Sequence, residues 1–168
     1  MVSSPNLIIK RAERSDVPAM REIFNEVLRN SNSIYREDEV TLEERYAWFD
    51  EKIAHGYPIF GAYENEKLVG YAGYGSWRAA QGYRKTVELT IYVDSTIRGV
   101  GVGSKLMQTI IDQAKADGFH VMIGAIDSKN QSSIEFHRRF GFTESARMPE
   151  VALKNGQWLD LVFMQKQL

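Results

Sequence analysis

Arg98-Gly99-Val100-Gly101-Val102-Gly103-Ser104-Lys105 joins a strand-like run to a helix-like run. Upstream, Thr86-Val87-Glu88-Leu89-Thr90-Ile91-Tyr92-Val93 alternates as a β-strand does; downstream, Leu106, Ile110, Ile111 and Ala114 recur at helical spacing. Glycines at such a junction let the backbone approach a ligand closely. The helix start adds unpaired N–H donors and a partial positive charge, a combination that suits phosphate. The loop therefore predicts a phosphorylated cofactor, although a glycine-rich turn capping a helix would look the same in isolation.

Spacing narrows the choice. A Walker-type loop needs an upstream glycine and then Gly-Lys-Ser/Thr, whereas here Gly103 is followed by Ser104 and then Lys105. A dinucleotide fingerprint needs a third glycine where this chain has Ser104 or Leu106, and no acidic strand end stands at the ribose distance. The pattern that remains is Arg98-x-x-Gly101-x-Gly103.

Composition bounds the rest. With 168 residues, 43% hydrophobic and 26% charged, the chain reads as one globular domain spanning 1–168. A net charge of −1 gives no broad basic field for nucleic acid, and no apolar run approaches the roughly 20 residues of a membrane helix. The N-terminal stretch lacks the layout of a signal peptide. The absence of cysteine removes disulfides, thiolate metal sites and a cysteine nucleophile, and is compatible with the cytoplasm. His55, His120 and His137 have no metal-ligand spacing, so no metal is expected.

Along the chain, Leu7 to Lys10 reads as a strand. A helix capped by Ser15 or Asp16 follows, with Met20, Ile23, Phe24, Val27 and Leu28 on its inner face. Thr41-x-x-Glu44 is a capping box opening a second helix, with Leu42, Tyr46, Phe49 and Ile53 inward. Pro58 to Tyr63 and Leu68 to Tyr74 form a hairpin, and the strand Thr86 to Val93 leads into the glycine loop. A helix to about Gly118, a strand from His120 to Ile126 and a helix from Ser132 to Phe140 come next. Two strands around Asn155-Gly156 close the chain. The order β-α-α-β-β-β-α-β-α-β-β predicts an α/β (α+β) fold, a mixed sheet of roughly seven strands with helices on both faces.

Within Thr86 to Val93, Glu88, Thr90 and Tyr92 share one face. A carboxylate in a largely apolar strand is either wet or useful; lining a cleft, Glu88 would have a raised pKa and serve as a base near neutrality. Asn130 and Ser133 stand where a second ligand-facing helix would start, with His137 following on that helix. Arg78 and Arg84 are candidate carboxylate clamps, because guanidinium forks match carboxylates. Tyr35, Arg36, Tyr83 and Tyr92 are candidate walls of a side-chain pocket, and each tyrosine could equally be core packing.

The Arg98-x-x-Gly101-x-Gly103 loop resembles the pyrophosphate cradle of the GCN5-related N-acetyltransferases (GNAT). The segment from Asn130 through Ser133 and His137 to Gly141-Phe142 resembles a second motif of that family. Gly75-Ser76-Trp77-Arg78, Tyr83 to Glu88, Tyr92-Val93 and Gly156 to Asp160 extend the resemblance to its phosphinothricin and methionine sulfoximine N-acetyltransferase branch. Ala80 departs from the herbicide-resistance enzymes toward the methionine-derivative ones.

The resemblance implies the GNAT fold, acetyl-CoA as cosubstrate and direct acetyl transfer to the α-amino group of a small amino acid. Glu88 becomes the base, directly or through water, and His137 assists the leaving thiolate. Tyr92, Val93, Arg98, Gly99, Val100, Gly101, Val102, Gly103, Ser104, Asn130 and Ser133 hold the cofactor, with the N–H near Val93 polarising the thioester. Tyr35, Arg36, Arg78, Tyr83, Arg84, Glu88, Thr90 and Tyr92 meet the substrate. It also implies a homodimer and a detoxifying role. A protein N-terminus or a polyamine as acceptor, or a non-catalytic acetyl-CoA-binding module, are the alternatives.

Overall fold

The structure, a computed structural model, describes residues 6–97 and 100–168; Arg98 and Gly99 of the glycine loop lie outside the described residues. In chain order the elements are β1 (Leu7–Arg11), α1 (Val17–Asn30), α2 (Leu42–Ala54), β2 (Ile59–Glu64), β3 (Lys67–Ser76), β4 (Thr86–Val93), α3 (Val102–Ala116), β5 (Val121–Asp127), α4 (Gln131–Arg139), β6 (Thr143–Lys154) and β7 (Gln157–Gln167). They match the expected order.

The seven strands form one sheet in the order β1-β2-β3-β4-β5-β7-β6. Every neighbouring pair is antiparallel except β4 with β5. Two hairpins turn on residues with positive φ, Asn65 (49°) with Glu66 (68°) and Asn155 (48°) with Gly156 (74°), the backbone a two-residue hairpin requires.

Helices cover both faces. On one, Val17, Met20 and Ile23 of α1 and Phe49 of α2 pack on Ile59, Tyr63, Leu68 and Tyr71. On the other, Leu106, Met107, Ile110 and Ile111 of α3, with Ile134 of α4, cover Val69, Ala72, Val87 and Leu89. Each buried Val, Leu, Ile, Met or Phe side chain among these contributes about 1.5–3 kcal/mol, which anchors the sheet between its helices.

Two local expectations are corrected. Asp16 stands at the N-cap of α1 as expected, but its side chain makes no cap bond there; its carboxylate accepts from the Glu13 N–H at 2.7 Å and from the Tyr63 hydroxyl at 2.6 Å, closing the short 3₁₀ turn before the helix. In α2 the Thr41–Glu44 capping box forms, but Leu42 and Ile53 are 40% and 49% exposed, and the buried positions are Arg45 and Phe49. The inward stripe is rotated because Arg45 takes a core position, its guanidinium 3.7 Å from the Trp48 ring centroid and 4.4 Å from that of Phe24.

Candidate active site

Parallel strands β4 and β5 pair only at Thr86–Val121, Val87–Met122 and Glu88–Ile123. Beyond Glu88 they part, β4 following β3 to Val93 and β5 following β7 to Asp127. The gap is a cavity of about 640 Å³, walled by β4, β5, the start of α4 and the C-terminal end of α1.

The strand geometry determines what β4 offers this gap. The Thr86 carbonyl accepts from Trp77 and the Asp94 N–H donates 2.9 Å to the Val69 carbonyl, so the even-numbered residues bond toward β3. Successive peptide groups alternate sides, so the odd-numbered residues bond toward β5; the Glu88–Ile123 pairing uses the Leu89 N–H, and the Leu89 C=O with the N–H and C=O groups of Ile91 and Val93 face the opening. A ligand in the gap meets an unpaired strand edge.

The glycine loop adjoins one end. Asp94, Ser95 and Ile97 line the cavity, and Gly101 begins α3 in the left-handed region at φ 77° with no side-chain cap. The first N–H groups of α3, from Val102 to Ser104, are therefore donors without a helical partner, while Lys105 already bonds Gly101 at 3.0 Å. Gly103 packs against Phe136 and Val93, two lining residues, at 3.6 and 3.9 Å from a would-be Cβ. Val100 is exposed at the loop surface.

At the far wall, the Asn130 carboxamide oxygen caps α4 by accepting from the Ser133 N–H at 3.2 Å, and its amide donates to Ser33 at 3.3 Å. His137 is buried, with Nδ1 2.7 Å from the Ser133 carbonyl. A carbonyl only accepts, so Nδ1 carries the proton and Nε2 presents its lone pair, without a partner among the described residues. Burial holds the ring's pKa below its ordinary value, so the ring is neutral near pH 7 and Nε2 acts as an acceptor. As placed, His137 is poised to take a hydrogen bond rather than to give one.

Glu88 lies just behind the cavity. Thr90 lines it, and Glu88 follows one side-chain step along the same face of β4, toward α2. Burial raises the Glu88 pKa, and the Lys52 ammonium opposes that rise. Tyr92 lines the cavity, its ring 5.5 Å from that of Phe24 and 5.6 Å from that of Tyr71. Burial pushes its hydroxyl up to about 12, so it stays protonated.

The remaining expected substrate residues do not line the cavity. Tyr35 donates to Asp127 at 2.9 Å and to the Asp160 carbonyl at 3.0 Å, tying the segment after α1 to β5 and β7. Arg36 is paired with Glu44 at 3.1 Å. Arg78 is exposed over Trp77, whose ring packs edge-on to Phe163. Tyr83 is 44% exposed, and Arg84 bonds the Gln81 carbonyl at 3.2 Å.

Four structural residues were not expected from the sequence. Lys154 is buried and donates to the carbonyls of Leu28, Ser31 and Ile34 at 3.0, 2.8 and 2.8 Å, closing the end of α1 beside the cavity. Asn25 bonds Val40 in both directions, at 2.9 and 3.1 Å. Buried Asp127 receives Tyr35, and Asp160 accepts from the Glu150 N–H at 2.8 Å, where β6 bulges. Asp127 could have been suspected as a carboxylate ending an apolar strand, but nothing local marks Lys154. Among the described residues, no group of three or more His, Asp or Glu side chains is placed to hold a metal ion.

Comparison with known proteins matches this architecture. The chain is 45% identical over 161 residues to the L-methionine sulfoximine/L-methionine sulfone acetyltransferase of Pseudomonas paraeruginosa, covering 95% of this chain and 94% of that one. It is 29% identical to the phosphinothricin N-acetyltransferase of Streptomyces viridochromogenes, over 94% of this chain and 86% of that one. A Salmonella typhimurium protein solved with its cofactor acetyl-CoA superposes with a TM-score of 0.92 at 41% identity, over 96% and 94% of the chains. The ribosomal-protein-alanine N-acetyltransferase of Brucella melitensis does so with 0.94 at 39%, over 96% and 99%. The sequence profile of the acetyltransferase (GNAT) family matches residues 17–142, and with relatives this similar over nearly the whole chain, the protein belongs to the GNAT family of acetyltransferases.

Proposed function

We propose that this chain, acting as one domain, transfers acetyl from acetyl-CoA to the α-amino group of a small amino acid of the methionine sulfoximine, methionine sulfone or phosphinothricin type. The observation that carries the reading is the parted β4–β5 edge, which opens onto the bare N-terminus of α3 at one end and has Glu88 behind it. A pantetheine arm carries amide groups that suit an unpaired strand edge. A pyrophosphate suits the helix start from Val100 to Ser104, with Arg98 and Gly99 completing that loop in sequence. The names of the relatives, at 45% and 29% identity, support the acceptor class.

The chemistry follows from the groups available. The ammonium of the acceptor gives a proton to Glu88, and the free amine attacks the thioester carbonyl. The Val93 N–H, facing the gap, stabilises the developing oxyanion. The C–N bond forms, the C–S bond breaks, and the thiolate takes a proton to leave as CoA thiol; one proton in all passes to solvent. Because Thr90 stands between Glu88 and the cavity, the proton travels by way of a water or the Thr90 hydroxyl. His137 Nε2 accepts a hydrogen bond from the CoA side, and for it to protonate the thiolate it must first pick up a proton itself. Arg78, Arg84 and Tyr83, exposed in one chain, and Tyr35 and Arg36, held in other bonds, are assigned to the acceptor by family resemblance alone.

A homodimer is supported by the exposed apolar residues Met148, Val151, Leu153 and Trp158 on β6 and β7. Reliance on acetyl-CoA suits the cytoplasm, and acetylating an inhibitory amino acid suits detoxification. A protein N-terminus is the second acceptor to test, because the Brucella neighbour is named for that reaction. Steady-state kinetics with L-methionine sulfoximine, L-methionine sulfone, phosphinothricin and a peptide beginning with alanine separates the two. A kcat/KM higher by at least about tenfold for one of the amino acids supports the proposal, and the reverse ranking overturns it.

A further inference from the structure

Gly75 on β3 is the cross-strand partner of Glu88 on β4. Side chains directly opposite in an antiparallel pair stand side by side, about 4.5–5.5 Å apart at Cβ. Gly75 has no side chain, and the Lys52 ammonium of α2 fills that place: a Cβ on Gly75 would lie 2.1 Å from Lys52 Nζ. The next pair along, Gly73 with Thr90, is also short-chained, leaving a narrow gap under α2 lined by Trp48, Lys52, Tyr71, Gly73 and Thr90. The bare Cα of Gly75 thus lets a cation descend from the helix layer onto the sheet next to Glu88, while the place of a Gly73 side chain is taken by the Pro58 carbonyl.

We propose that Lys52 is a positioning residue for acetyl transfer: its ammonium, lodged over Gly75 beside Glu88, is the counter-charge that keeps the carboxylate an anion at the edge of the cavity. The inference rests on the reading of Glu88 as the proton acceptor. The neighbours support it. Burial lifts Glu88 toward its neutral form and Lys52 draws it back. Lys52 is itself held below its ordinary value, by burial first and by Arg45, while Glu88 and Glu51 draw it up. Arg45 on α2 is committed elsewhere, donating 2.5 Å to the Tyr71 hydroxyl and stacked on Trp48, and Tyr92 next along β4 is neutral. The Tyr57 ring, 5.7 Å from Lys52 Nζ, completes the surroundings. Among the described residues, Lys52 is thus the nearby cation left to act on Glu88.

The sign of the effect is fixed. Removing the Lys52 charge lets burial raise Glu88 further, so the base is lost at a higher pH. Turnover of Lys52→Met should fall at least about threefold on the acidic side of neutrality and recover to within about twofold at alkaline pH, with the acid limb of the kcat profile moved upward. Lys52→Arg should restore the limb. Gly75→Ala keeps the lysine but drives its ammonium from the site, because the three nearest atoms its methyl would meet are all Lys52's. It should reproduce the Lys52→Met profile.

A uniform loss of kcat at every pH, or a raised KM for the amino acid with an unmoved limb, would overturn the inference in favour of a packing or substrate-binding lysine. Glu88→Gln, run in parallel, distinguishes the base from its counter-charge. If it keeps full turnover and the same limb, the base assignment fails. If it loses the limb while Lys52→Met leaves it in place, only the role of Lys52 fails.

Discussion

His137 and Gly124 are built for each other: a Cβ on Gly124 would stand 2.9 Å from both Nε2 and Cδ2 of the imidazole. The ring lies edge-on to Phe142, centroids 5.3 Å apart, and its Nδ1 is fixed on the Ser133 carbonyl, so it has nowhere to retreat. Gly124→Ala should therefore overpack the site, costing about 1–3 kcal/mol of stability and reducing turnover. Denaturant unfolding checks the cost. The double variant with His137→Ala should lose less stability than the sum of the two single changes, since the clash is then absent.

The neutral, buried state of His137 has a pH signature. Its folded pKa is depressed by burial below an unfolded value near 6.5, so the unfolded chain binds the proton first. Stability is lost as pH falls from about 6.5 down through the folded pKa and is constant in this respect below it. Thermal melts of the wild type and His137→Gln at a series of pH values should show the wild type losing more on acidification. Parallel curves would mean that the folded protein protonates the ring as readily as the unfolded chain does.

Lys154 should prove structurally expensive to remove. Lys154→Met strands three carbonyls at the end of α1, where the helix dipole also favours a cation, and should cost on the order of 2–4 kcal/mol. Because Ser31 and Ser33 line the cavity, acetyl-CoA affinity should fall as well. Calorimetric titration of the folded variant measures that second effect.

Gly101 reports on the loop that decided the fold. Its φ of 77° costs an L residue about 1–2 kcal/mol, so Gly101→Ala should either destabilise α3 or move its first N–H groups. Acetyl-CoA dissociation should quicken by at least about fivefold in consequence, read by stopped-flow binding. An unchanged dissociation rate would separate this loop from the cofactor.

Much of this was legible in the sequence, for physical reasons. The alternation from Thr86 to Val93 placed Glu88, Thr90 and Tyr92 on one face, because strand periodicity is a local property. The Thr41–Glu44 box and the hairpin at Asn65-Glu66 were equally local. What escaped notice depends on distant partners. Arg45 and Lys52 take inward positions on α2 because aromatic rings and the bare Gly75 of the sheet receive them, and hydrophobic patterning favours Leu42 and Ile53 instead. Lys154 looks like any strand-end lysine until the α1 terminus folds onto it. Residue type alone makes Tyr35 a candidate pocket wall, and gives no sign that its hydroxyl engages Asp127 and the Asp160 carbonyl.

Acetyl transfer in the β4–β5 cleft, with Glu88 as proton acceptor, has a direct readout in the products. CoA thiol release from acetyl-CoA and L-methionine sulfoximine is followed at neutral pH for the wild type and Glu88→Gln, with acetyl-CoA affinity measured alongside. The wild type should show acceptor-dependent release matched by N-acetylated product. In Glu88→Gln, release should fall at least about tenfold with acetyl-CoA binding retained. Undiminished release by Glu88→Gln, or tight acetyl-CoA binding by the wild type with no release, would contradict it.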